Sequence, residues 1–160
     1  MSEKADYKTL CKTTVGEELS EEECQVLAGI IGVRKMQNNE MLVKENEKDD
    51  TLFILTEGKL AVVGNALGNE IVLYTMKVGE CAGTRAFVDR TPRKATLRSV
   101  GNATIYTLEP EDFESLLKSH PVIVYKVMRA LFRITHTNLM RMNQESQELA
   151  NYVTKTRGRY

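Results

Sequence analysis

The chain has 160 residues, 42% of them hydrophobic, and its 22 Lys plus Arg balance 22 Asp plus Glu. That length carries one domain with a core of its own and argues against a second, while a formal charge of zero excludes the global positive field with which a protein holds DNA, RNA or anionic lipid. The start Met-Ser-Glu-Lys-Ala-Asp-Tyr-Lys is too charged for a signal peptide and no apolar run approaches a membrane span, so a cytoplasmic protein without membrane contact is expected. The cysteines, Cys11, Cys24 and Cys81, are odd in number and lack CxxC spacing, which predicts reduced thiols rather than a disulfide framework, a zinc knuckle or an iron–sulfur site. The only histidines, His120 and His136, fall far along the chain from the β-rich segments, so no metal site is expected.

Residues 1–19 read as an N-terminal arm. Ser20 followed by Glu21, Glu22 and Glu23 is a capping box with acids in the first turn, opening an amphipathic helix through Cys24, Leu27, Ile30 and Ile31. From about Val33 to Leu108 the texture changes to short β-like runs: Thr51 to Thr56, Leu60 to Val63, Ile71 to Met76 and Ala103 to Leu108. Glu57-Gly58 and the stretch Gly64 to Asn69 read as hairpin turns between them. The spacing suggests a compact antiparallel barrel or jelly roll.

After Leu108 the period becomes helical, with Pro110 at a first helical position, Glu111 and Asp112 at the positive end, and an apolar stripe of Phe113, Leu116 and Leu117. Pro121 restarts a second helix that runs without Gly or Pro to Arg157. Val124, Met128, Leu131, Thr135, Asn138, Met142, Glu145, Leu149 and Tyr152 follow alternating steps of four and three, the spacing of a coiled-coil seam. Ile123, Val127, Ala130 and Ile134 occupy a neighbouring face. One face packs on the barrel and the other is offered to a second subunit, so a homodimer is expected, with Val124, Met128, Leu131, Thr135, Asn138 and Met142 at its interface. The bland alternative is one wide core stripe in a monomer. Asn138 is either a register device or a solvent-facing residue. Residues 121–153 thus form a long dimerisation helix, followed by a loose basic tail over residues 154–160.

The stretch from Gly79 to Thr96, Gly-Glu-Cys-Ala-Gly-Thr-Arg-Ala-Phe-Val-Asp-Arg-Thr-Pro-Arg-Lys-Ala-Thr, carries the chemistry. Gly83 permits close backbone approach, the small turn from Thr84 to Asp89 presents successive N–H groups, and Arg93 supplies a planar fork of donors that matches a phosphate. A barrel strand, a short helical turn, Pro-Arg and a return strand recur in this order in the cyclic-nucleotide-binding domains of the catabolite activator protein and of kinase regulatory subunits. The chain resembles that family over roughly Leu19 to Met142. The resemblance implies a mainly β fold with helices: an eight-stranded antiparallel β-roll, residues 20–120, flanked by an N-terminal helix and C-terminal helices, the last one long.

Without a gap, Gly79-Glu80 falls on the family's first Gly-acid pair and Gly83-Thr84 on its second, ending at Pro92-Arg93-Lys94-Ala95-Thr96. Glu80 is then a decoy, and the family glutamate that accepts from the ribose 2′-hydroxyl is here Thr84. The resemblance makes Gly83, Thr84, Arg85, Ala86, Phe87, Arg93, Lys94 and Thr96 the ligand-binding set, with Arg93 on the phosphate, Thr96 near a purine edge and Phe87 facing base or sugar. Asn39 and Asn46 stand where the family has Gly, and Asn tolerates positive φ. With Asp89 the only acid within the cassette helix and its return strand, the mouth is expected to be positive. Arg85, Arg90 and Lys94 read as solvated surface charges, and Thr84 as a helix cap.

The function expected is a non-enzymatic ligand-sensing module of the cyclic-nucleotide-binding type, binding a phosphate-bearing or other small anion at Arg93, with weakened or lost cyclic AMP and cyclic GMP binding. No cofactor is expected beyond a cyclic nucleotide or other anion as ligand. The alternative is a ligand-free domain serving as a dimerisation or scaffold unit. No helix-turn-helix follows the long helix, so direct DNA reading is not expected and the output passes to a downstream protein. No Ser/His/Asp or Cys/His arrangement and no carboxylate pair in a catalytic setting is recognisable.

Overall fold

The computed structural model describes residues 3–157. Two short helices, α1 (Tyr7–Cys11) and α2 (Glu21–Ala28), precede the strands β1 (Gly32–Met36), β2 (Met41–Val43), β3 (Leu52–Ala66), β4 (Asn69–Met76) and β5 (Cys81–Ala82). The cassette helix α3 (Thr84–Asp89) and strand β6 (Thr96–Leu108) follow, then α4 (Pro110–Glu114), α5 (Leu116–Ser119) and α6 (Pro121–Arg157). The six strands form one antiparallel sheet in the order β1-β6-β3-β4, with β2 added to β6 and β5 to β3.

Six strands replace the eight expected because β3 and β6 each run the length of the roll. Glu57-Gly58, expected to turn a hairpin, instead forms an irregularity inside β3, where the register against β6 shifts between Leu55 and Lys59. Gly58 sits there at φ 83°, and a side chain would collide with the Asn102 carbonyl; the glycine bends the strand without ending it. The true β3–β4 turn is Leu67-Gly68, both at positive φ, inside the expected Gly64 to Asn69 stretch. Asn39 (φ 65°) and Asn46 (φ 70°) occupy the left-handed conformation, as expected of Asn standing where glycine is usual.

Alternation along β3 divides the core in two. Leu52 and Ile54 face the helices, in a cluster with Leu10, Leu27, Phe113 and Val127. Phe53, Leu55 and Leu60 face the roll interior with Met36, Leu97 and Ile105. The Ser20 capping box forms as expected, Ser20 accepting from Glu23 N–H while the Glu23 carboxylate accepts from Ser20 N–H. Pro110 takes the first position of α4. Helix α6 continues to Arg157, so residues 154–157 of the expected tail are helical, and 158–160 lie outside the described residues.

The cysteine expectation is overturned. Cys11 and Cys24 form a disulfide that joins α1 to α2 across 13 residues, and Cys81 alone is a free thiol. Motif spacing carries no information here, because the two cysteines meet only when two helices pack side by side.

The inward face of α6 is Ile123, Val127, Ala130 and also Leu131, which is only 2% exposed. Leu131 was expected at a dimer interface; it lies instead in this chain's own core, and its neighbour Phe132 is 74% exposed. Of the apolar residues left outside, Tyr125, Met128, Phe132, Leu139, Met142, Leu149 and Val153 follow steps of three and four with Thr135 and Ser146 completing the series, while Val122, Met140 and Tyr152 are exposed off it. That seam shares Met128, Thr135, Met142 and Leu149 with the expected one. Val124 packs against the core cluster, and Asn138 is exposed.

Candidate functional site

The cassette begins where β5 pairs with β3 and ends where β6 begins. Gly83 precedes α3 at φ 87°, a conformation that favours glycine. A second reason for glycine is space: a methyl group at Gly83 would collide with Arg93 Nη1 and come 3.0 Å from the Thr51 carbonyl. Arg93 therefore reaches back beneath the start of α3, and its side chain is 4% exposed.

Arg93 is held along one side only. Its Nη2 donates to the Thr51 carbonyl at 2.5 Å and to Asp49 Oδ1 at 3.1 Å, and its guanidinium carbon sits 4.9 Å from the centre of the Phe53 ring. Nε and Nη1 are buried and have no hydrogen-bond partner. Buried donors without acceptors are uncommon and each costs about 1–3 kcal/mol. The Asp49 carboxyl is raised by burial, but hydrogen bonds from Thr51 and the charge of Arg93 outweigh that and hold it below its ordinary value. The arrangement is a half-used cationic fork, with Nη2 paired and Nε and Nη1 unpaired.

The other expected ligand residues divide. Thr84 opens α3 with its hydroxyl 3.9 Å from the Cys81 sulfur; no side-chain hydrogen bond caps the helix, and Gly83 holds the cap position, so the capping role expected of Thr84 is not present. Burial pushes the Cys81 thiol up to about 11. Arg85 and Lys94 are exposed, and Ala86 is buried. Phe87 faces away from Arg93: it belongs to the helix-side core, with its ring 5.5 Å from that of Phe113. The Thr96 hydroxyl is buried and already accepts from Glu45 N–H at 3.0 Å. Gly83, Thr84 and Arg93 are thus gathered, while Phe87 serves packing.

Arg90 corrects the reading of a solvated charge. It caps α3 at φ 59°, and its guanidinium pairs with Glu114 at 2.8 Å, Glu111 at 3.2 Å and Asp50 at 3.7 Å. Its carbonyl accepts from Lys48 Nζ. The mouth is accordingly less positive than the cassette alone suggests, because acids outside it, Asp49, Asp50, Glu111 and Glu114, face its arginines. Glu80 is spent elsewhere: both carboxylate oxygens lie 2.8 Å from the Tyr74 hydroxyl, which donates to them. Sequence reasoning missed Asp49, Thr51 and Phe53, none of which belongs to a motif; they reach Arg93 only through the fold.

Two surface cavities lie apart from Arg93. One of about 300 Å³ is bordered by Asn38, Glu70, Val72 and Arg98, and one of about 230 Å³ separates the cassette residues Phe87 and Val88 from Leu117, Val124 and Met128 of the C-terminal helices. Among the described residues no group of three His, Cys, Asp or Glu is placed to hold a metal, and no helix is long and apolar enough to cross a membrane.

Comparison with known proteins agrees with this fold. The cGMP-dependent protein kinase of Plasmodium berghei is 27% identical over 100 residues, 62% of this chain and 11% of the kinase. A cyclic nucleotide-binding domain from Methylobacillus flagellatus superposes with a TM-score of 0.81 at 16% identity, covering 87% of this chain and 81% of that one. The catabolite activator protein of Thermus thermophilus gives a TM-score of 0.71 at 19% identity, covering 84% of this chain and 63% of that one. The chain spans only 6 to 11% of the length of the curated relatives it matches. The model of the family described as "Cyclic nucleotide-binding domain" matches residues 33–120, more than half of the sequence and all of the sheet and cassette but Gly32, the first residue of β1, and the chain belongs to that family.

Proposed function

We propose that the chain is a non-enzymatic regulatory module that takes a phosphate-bearing or other small anionic ligand on Arg93, has weak or no affinity for cyclic AMP and cyclic GMP, and acts as a homodimer joined through α6. The observation that carries the reading is the buried Arg93 whose Nε and Nη1 lack partners. Two parallel N–H donors of a guanidinium match an anion with two oxygens in a bidentate contact, which here requires Gly83 and the start of α3 to give way. Replacing the family glutamate by Thr84 removes a charged acceptor for a ribose hydroxyl, a loss of about 1.5–3 kcal/mol, or roughly ten- to a hundredfold in affinity. Dimerisation is supported by the exposed seam from Tyr125 to Val153, and the ligand would bias it only through unequal affinity for two arrangements of the helices. The output passes to a downstream protein.

A second reading, a ligand-free scaffold, is favoured by the Asp49 contact, which already neutralises Arg93 from within the chain. A thermal-shift panel separates the two. Anions without a ribose should raise the melting temperature more than cyclic AMP or cyclic GMP at equal ionic strength, and Arg93→Ala should abolish the response. If no anion in the panel produces a shift, the scaffold reading stands instead.

A further inference from the structure

The segment preceding the sheet bridges two parts of the molecule that the cassette does not join. On one side Thr14 N–H and its hydroxyl both donate to the Gly79 carbonyl, at 2.9 and 2.8 Å, where the chain enters the cassette. On the other side three of its acids meet a basic stripe of α6: Glu23 with Lys126 at 2.6 Å, Glu18 with Arg133 at 2.7 Å and Arg129 at 3.9 Å, and Glu17 with Arg133 at 3.7 Å. Hydrogen bonds and charge from Lys126 and Arg133 lower the pKa of Glu23 and Glu18, so both stay ionised at neutral pH. The Cys11–Cys24 disulfide brackets all of these contacts. It ties α1, which is anchored by Asp6 N–H donating to the Tyr106 hydroxyl at 2.9 Å, to α2, which carries Glu23.

We propose that Cys11–Cys24 is a reversible thiol–disulfide exchange site whose partner is a low-molecular-weight thiol/disulfide couple, and that its redox state sets how firmly the N-terminal arm clamps the first half of α6. The two sulfurs have different access: Cys24 is fully buried, whereas Cys11 is half-buried. Oxidation therefore begins at Cys11. Its thiolate attacks the small disulfide and releases one small thiol; Cys24 then attacks the Cys11 sulfur of the mixed disulfide and releases the second. Two cysteine thiols and one small disulfide become one protein disulfide and two small thiols, which carry away the two electrons and two protons. Reduction reverses the order, with attack at Cys11 and departure of Cys24 as a thiolate from an apolar core. That departure is disfavoured until the arm opens, so the exchange and the release of the clamp are one event. The inference does not depend on what Arg93 binds.

The test uses the full chain equilibrated with glutathione couples from fully oxidising to fully reducing. Oxidised protein should be lighter by two hydrogens and take up almost no iodoacetamide at neutral pH, because the raised Cys81 pKa leaves little thiolate there; reduced protein should label at two more sites. A staple closing a loop of this size should give a melting temperature about 6–12 °C higher than the reduced form. Hydrogen exchange should speed up about tenfold or more on reduction in α1, in α2 and across Lys126 to Arg133. Cys11→Ser should behave as the reduced protein and ignore reductant; the wild-type redox titration carries the same test if that variant misfolds. Cysteines that stay free in oxidised glutathione would overturn the proposal, as would reduction that leaves exchange in α6 unchanged.

Discussion

Replacing Arg93 by methionine isolates what the arginine does. The change keeps an unbranched stem against Phe53 but removes the guanidinium. It deletes two hydrogen bonds from Nη2, to the Thr51 carbonyl and to Asp49. The first has a fully desolvated donor and falls at about 2–3 kcal/mol, while the second, to a carboxylate 31% exposed, is screened and falls near the low end, about 1–1.5 kcal/mol. The stacking on Phe53 adds about 1 kcal/mol. Against this sum of about 4–5.5 kcal/mol, the variant relieves Nε and Nη1 of their burial without partners, at about 1–3 kcal/mol each, or about 4 kcal/mol at the centre of the range. Asp49 keeps its hydrogen bond from Thr51 N–H at 2.9 Å. The net effect is a loss of about 0–1.5 kcal/mol, which for a domain of this size lowers the melting temperature by at most about 6 °C. Calorimetric unfolding with and without anion reads both halves of the argument. Wild-type protein should gain about 2.7 kcal/mol at a hundredfold excess of ligand over its Kd, and Arg93→Met should gain nothing. A destabilisation above about 4 kcal/mol would mean that Arg93 is a structural pair with no cost set aside for a ligand, and would refute the reasoning.

Other perturbations test neighbouring parts of the account. Thr84→Glu should bind cyclic AMP about tenfold more tightly than Thr84→Gln by calorimetry, whereas Glu80→Ala, which loses only its contact with Tyr74, should leave cyclic AMP affinity unchanged; a swap of these effects would place the functional acid at position 80. Phe132→Glu combined with Leu139→Glu should convert a dimer to a folded monomer in light scattering, while Leu131→Glu, which puts a charge into the core, should cost about 4 kcal/mol or more of stability; a double variant that remains dimeric would remove the exposed seam from the interface. Because the folded pKa of Asp49 lies below its ordinary 3.8, its contribution to stability is fully present above that pH and fades as pH falls through the lower folded value. Asp49→Asn should flatten this acid limb in urea midpoints measured from roughly pH 5 downward, and an unchanged slope would contradict the assignment.

Local signals were legible wherever one residue type meets one backbone demand. The Ser20 box, Pro110 at the start of α4 and the left-handed Asn39 and Asn46 follow from capping and positive φ, and all stand in the structure. Gly58 obeys the same conformational rule, yet its neighbours show no sign of whether the chain turns or bends there; that is decided by β6, whose Asn102 carbonyl lies against it. The α6 seam was misplaced by one residue for a related reason. Leu131 and Phe132 sit about 100° apart on the helix, both complete a three-four pattern with Met128, Thr135 and Met142, and only the helix-side core cluster against which α6 packs decides which is buried. In the cassette, Gly83 and Arg93 were readable from the Gly-Thr and Pro-Arg spacing. Asp49 and the acids around Arg90 were not, since their roles depend on loops brought together from distant parts of the chain.

The most direct test of the central claim is the side-chain Nε–H resonance of Arg93, followed by ¹H–¹⁵N correlation spectroscopy while a panel of phosphate-bearing anions is titrated at constant ionic strength. The account predicts a saturable shift of that resonance with at least one anion, slowed exchange of its proton with water on binding, and little or no response to cyclic AMP at the same concentration. An Arg93 Nε–H that stays fixed through the whole panel, in protein that is folded, would contradict it.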